Sequence, residues 1–83
     1  MSSLDELRAD LDRVDERLVE LLAERATLVD QVWALKAQRS LPQVDPAREG
    51  AMRARLAQKA KALGLSDVAV LAVFERIIGQ RLR

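Results

Sequence analysis

Arg25 stands where an apolar side chain belongs. Around it Leu4, Leu7, Leu11, Val14, Leu18, Leu21, Leu28, Val32 and Leu35 recur three and four residues apart, the a and d positions of a heptad. Lys36 lies eleven residues further on, about 20° away around a helix of 3.6 residues per turn, so two cations share one side of an apolar seam. Arg8 flanks the same seam beside Leu4 and Leu11. Arg48 falls one turn before Met52 and Leu56 on a second apolar stripe, with Glu49 as its neighbour. Each cation alone has a structural reading: an arginine at an a position snorkels or sets register, and a flanking lysine lies in solvent. Together they repel one another, and such a cluster is costly to bury unless an anion occupies it. Glu49 is the one acid beside them. The pattern predicts a site for a small polyanion.

Three helices must position these residues, and the sequence marks their ends. The first is expected over residues 4–39, with Ser3 as N-cap, Asp5 and Glu6 in the first turn, and a stop before Pro42. Asp45-Pro46 starts the second, an N-cap acceptor followed by proline at the first helical position. It runs over 46–63 to a left-handed stop at Gly64. Its stripe is Met52, Leu56, Ala60 and Leu63, with Arg53, Arg55, Lys59 and Lys61 directed to water. Ser66 caps the third, over 66–82. The run from Val68 to Phe74 is apolar around the whole cylinder, so this helix is expected to be buried on several faces. The fold class is all-α, a single domain over 1–83.

The first helix is too long for a monomer. Its 36 residues would span roughly 54 Å, whereas a compact chain of this size has a radius of gyration near 12 Å. Two chains are expected to pair their long helices as an intertwined homodimer. Arg8 is 17 residues from Arg25, some 25 Å along one helix. If the paired helices run antiparallel, Arg8 of one chain approaches Arg25 and Lys36 of the other, giving two shared sites.

Composition narrows the chemistry. The chain has 83 residues, no Cys and no His, which leaves out thiol nucleophiles, disulfides, the usual zinc ligands and imidazole acid–base catalysis. No metal site is expected. No apolar run approaches the roughly 20 residues that cross a bilayer, and the N-terminus lacks signal-peptide character. A cytoplasmic protein with no membrane partner is expected. Net charge is +1, divided into −3 over residues 1–39 and +4 over residues 40–83. With one Trp, one Phe and no Tyr, stacking platforms for nucleic acid are missing.

The chain resembles the all-helical chorismate mutases, the AroQ class, over nearly its whole length. The resemblance rests on Leu7-Arg8, Val14-Asp15-Glu16, Leu21-Leu22-Ala23-Glu24-Arg25, Lys36, and the motif Pro42-x-Val44-Asp45-x-x-Arg48-Glu49. That last motif is the specific part; the leucines are generic. The resemblance implies rearrangement of chorismate to prephenate, with no cofactor and no covalent intermediate. It implies that Arg25, with Arg8 from the second chain, binds the two carboxylates. Lys36 donates to the ether oxygen, Glu49 takes the ring hydroxyl with the loop around Asp45, and Arg48 supports the site. Preorganised donors of this kind meet charge that develops in the transition state.

The ending departs from the family pattern. The family commonly places a glutamine near the end of the third helix as a second donor to the ether oxygen. Here Gln80 stands more than a turn earlier, and Arg81 falls where a small hydroxyl residue is often found. Either Gln80 or the terminal arginines substitute, or the site is incomplete. Short family members with this ending rely on DAHP synthase, the first shikimate-pathway enzyme, to order the C-terminus, which makes that enzyme an expected partner. Trp33 is read as a packing residue. Two other readings compete. An isochorismate pyruvate lyase shares the fold and the cations but generally lacks a carboxylate at the position of Glu49. A non-catalytic helical dimerisation module would carry Arg25 for register alone.

Overall fold

The computed structural model describes residues 3–42, 45–79 and 82. It contains three helices, α1 (Leu4–Gln38), α2 (Pro46–Ala62) and α3 (Asp67–Gly79), and no strand among the described residues. The chain is all-α. Each helix starts where a short polar side chain takes up an orphan amide. Ser3 Oγ accepts from the Glu6 amide at 3.1 Å, Asp45 Oδ1 from the Arg48 amide at 3.2 Å, and Ser66 Oγ from the Ala69 amide at 3.2 Å. Such caps satisfy donors that have no partner inside the helix.

The first two helices end in the same closed motif. At the end of α2 the Leu65 amide donates to the Ala60 carbonyl at 2.8 Å and the Gly64 amide to the Lys61 carbonyl at 3.1 Å, with Gly64 at φ +75°. At the end of α1 the Leu41 amide donates to the Lys36 carbonyl at 2.9 Å and the Ser40 amide to the Ala37 carbonyl at 3.3 Å. Here the left-handed residue is Ser40, at φ +53°. Both are Schellman closures, but the first uses a residue with a Cβ. So α1 stops at Gln38 through Ser40, and Pro42 only bars its resumption. The third helix is described to Gly79, and Leu82, its expected last residue, is not helical.

The packing is uneven. Helices α2 and α3 lie against each other around Met52, Leu56, Leu71, Phe74 and Ile78, and Ala60, at 3% exposure, is the one fully buried residue among those described. Arg53 pairs with Glu75 at 3.2 Å and Lys61 with Asp67 at 3.6 Å, a pairing order that only antiparallel helices allow. Both cations face water, as expected, and each also meets an acid of α3 across the seam. The expectation that α3 is buried on several faces does not hold within one chain: Val68 is 75% and Val73 58% exposed. Leu63, expected in the stripe of α2, is also exposed.

Helix α1 stands clear of this pair. No Cα of α1 comes within 8 Å of a Cα of α2 or α3, and none of its residues is buried. Its seam is open to solvent from Leu4 to Leu35, at 44–62% exposure. The radius of gyration is 16.4 Å and the long dimension 56 Å, against about 12 Å for a compact chain of this length. The accessible surface is 7283 Å², whereas a folded monomer of 9.3 kDa presents roughly 5,000 Å².

Candidate functional site

The candidate residues fall into three groups. Arg25 and Lys36 lie on the C-terminal half of α1 and are half-buried. Their separation of eleven residues is a rise of about 16 Å, which two long side chains reaching toward each other leave open for a small ligand. Asp45, Arg48 and Glu49 form the first turn of α2 and its cap, and all three are exposed. Arg8 sits near the start of α1, also exposed and about 25 Å from Arg25 along the same axis. Gln80 lies outside the described residues.

Local backbone fixes each of the first two groups at its own helix end. The Lys36 carbonyl accepts from Leu41, so the closure of α1 is anchored on the residue that carries the ammonium. Four residues beyond Leu41 the Asp45 carboxylate and carbonyl accept from the amides of Arg48 and Glu49, at 3.2 and 3.1 Å. Asp45 is thereby engaged with backbone, and its part in the site is to fix the turn that presents Arg48 and Glu49. No Cα of α1 comes within 8 Å of a Cα of α2, so the single chain does not bring Arg25 and Lys36 together with Arg48 and Glu49. Nor does it bring Arg8 in.

Burial of the cations differs from the sequence expectation. Arg8 and Arg48 are exposed in the single chain. The guanidinium groups of Arg8, Arg25 and Arg48 have no carboxylate within 4 Å among the described residues, whereas Arg13, Arg53 and Lys61 are paired with Asp10, Glu75 and Asp67. Unpaired guanidinium groups keep their donors for an anion, and each can take a carboxylate in a two-pronged grip. Lys36 has a feature that the sequence reading missed. Its Nζ lies 5.7 Å from the ring centroid of Trp33, and Trp33 is 45% exposed instead of packed into a core. The spacing of three residues on one helix was the available signal.

A family model for chorismate mutase type II matches residues 7–83. The chain belongs to this family. Among curated relatives, the T-protein of Enterobacter agglomerans is 36% identical over 78 residues, covering 94% of this chain and 21% of the relative. The bifunctional chorismate mutase/prephenate dehydratase of Aquifex aeolicus is 43% identical over 49 residues, 59% of this chain and 14% of that protein. The chorismate mutase of Methanocaldococcus jannaschii is 28% identical over 78 residues, 94% of this chain and 79% of the relative. The chain thus spans about a fifth of the length of the T-proteins it matches and most of the length of the archaeal chorismate mutase. No solved structure matches it significantly. No helix among the described residues is long and apolar enough to cross a membrane.

Proposed function

We propose that this chain is a chorismate mutase that rearranges chorismate to prephenate without covalent catalysis. The observation that carries the reading is the family match over residues 7–83, a stretch that includes Arg8, Arg25, Lys36, Asp45, Arg48, Glu49 and Gln80. Chorismate is a flexible dianion. Arg25 holds one carboxylate, and Arg8 of a second chain helps hold the other. Lys36 donates to the ether oxygen, where negative charge grows as the carbon–oxygen bond breaks. Glu49 accepts from the ring hydroxyl, Arg48 supports it, and Gln80 is the nearest candidate for a second donor to the ether oxygen. The rearrangement needs no proton transfer, metal or cofactor; the catalytic contribution is orientation and fixed donors aimed at developing charge.

The same reading requires two chains. The surface in excess of a compact monomer is roughly 2,300 Å² per chain. Covering it would bury about 4,600 Å² in total, within the range of obligate homodimers. The open seam of α1 supplies a self-complementary apolar surface, and an antiparallel pairing carries Arg8 to the half of α1 that holds Arg25 and Lys36. The reading places the enzyme in the cytoplasm. It also extends to DAHP synthase as the partner that orders the C-terminal segment; an unchanged rate on mixing the two would count against that extension.

The test is direct. Purified protein is added to chorismate, loss of its ultraviolet absorbance is followed, and the product is identified by chromatography. Prephenate is expected, with Arg25→Ala and Lys36→Ala each losing about 100-fold or more in turnover at unchanged fold. Pyruvate release from isochorismate in place of prephenate would assign the lyase reaction. Retained turnover in Arg25→Ala would show that Arg25 serves packing alone.

A further inference from the structure

Trp33 is the single tryptophan of the chain, and its own chain does not bury it. It is 45% exposed, and its ring lies beside the Lys36 ammonium at 5.7 Å, inside the roughly 6 Å over which an aromatic face attracts a cation. Lys36 is the group in the proposed site whose placement is hardest to fix. Its side chain has a flexible four-carbon stem and a point charge with no preferred plane, and it stands in the last turn of α1. The backbone there is fixed by the Leu41 amide on the Lys36 carbonyl, and the indole of Trp33 is a contact of the side chain.

We propose that Trp33 is a positioning residue for Lys36: the indole face restrains the ammonium so that its remaining N–H donors meet the ether oxygen of the substrate. This rests on the reading of Lys36 as the ether-oxygen donor. A lysine restrained before the reaction loses less rotamer freedom at the transition state. The charge it meets grows only as the bond breaks, so the benefit falls on kcat and spares KM. The ring touches no reacting atom; it acts through Lys36.

The test compares Trp33→Leu and Trp33→Phe with the wild-type homodimer. Leucine keeps apolar volume and removes the π face; phenylalanine keeps a weaker face. Trp33→Leu is expected to lower kcat about three- to fivefold with KM and melting temperature unchanged, and Trp33→Phe to recover most of the loss. Unchanged kcat in Trp33→Leu would overturn the proposal. So would a loss accompanied by a lower melting temperature, or one that phenylalanine does not repair, since either marks a packing role. The contact itself is read without catalysis. Trp33 emission, free of other Trp and Tyr signals, should change in substrate-free Lys36→Ala. An emission change with no chorismate turnover in the wild type would fail the mutase reading alone; turnover without any emission change would fail the positioning role alone.

Discussion

In α2 and α3 the apolar side chains of one chain meet each other; along α1 they meet nothing. The two regions are built from similar material. Both carry apolar residues at helical spacing, both begin at a short polar cap, and α1 is the longer and more regular. Yet Ala60 is buried and Leu56 and Phe74 are half-covered, while Leu4 through Leu35 lie open. The difference teaches that amphipathic pattern records a demand for cover without saying whose residues supply it. For α2 and α3 a four-residue turn supplies the cover. For α1 the described residues supply none, and the proposed cover is a second copy. Arg25 sits in that open region and not in the closed one. On the proposed reading, a site built there belongs to the assembly and not to the fold of one chain.

Substituting the seam breaks the comparison most strongly. Leu18→Asp would change stability by no more than about 0.5 kcal/mol if α1 stands in water, since exposed sites tolerate change. Against a second chain it places two charges in an apolar interface. A loss of about 3 kcal/mol or more is expected, with the dimer replaced by monomer in sedimentation and melting concentration-dependent. A Leu18→Asp chain that melts as the wild type would mean that the seam is not an interface.

The two Schellman corners sharpen it at smaller scale. Gly64 adopts its left-handed φ without a Cβ and has open space around it, whereas Ser40 carries a Cβ at φ +53°. A left-handed conformation costs an L-residue about 1–2 kcal/mol, and glycine returns about 0.5–1 of that in unfolded-chain entropy. Ser40→Gly is therefore expected to stabilise by about 0.5–1 kcal/mol and Gly64→Ser to destabilise by about as much, read as opposite shifts in melting temperature. Equal-sign shifts would show that the corners are not equivalent. The smallest effect lies in the closed region. Arg53 and Glu75 are half-exposed, so Arg53→Ala is expected to cost less than about 1 kcal/mol, and a larger loss would give that pair a role in α2–α3 packing that its exposure does not suggest.

Much of this was legible in the residues. Ser3, Asp45-Pro46, Gly64 and Ser66 mark helix ends because each satisfies or releases specific backbone groups, and those rules act within a few residues. The misfit of Arg25 was legible because a heptad makes a firm demand at that position. What escaped the sequence depends on partners. Ser40 gives no sign of a left-handed φ, since serine supports several turn geometries. Arg53 and Lys61 read as solvated, and they are; that Glu75 and Asp67 stand opposite them depends on α3. The apolar area of Trp33 reads as packing, and its contact with Lys36 shows only once the side chains are placed. The valines of α3 that remain exposed share with α1 the same unanswered demand for cover.

The central claim is that Arg8 of one chain completes the site that holds Arg25 and Lys36 of the other. Co-expressed Arg8→Ala and Arg25→Ala chains test it most directly, because each parent dimer has both sites broken. In a random mixture half the dimers are mixed, and two-fold symmetry leaves each of those with one intact site. The account predicts recovery to about one quarter of wild-type turnover per site, from parents that are each nearly inactive. Turnover no greater than the sum of the parents, in mixed dimers verified by mass, would contradict it.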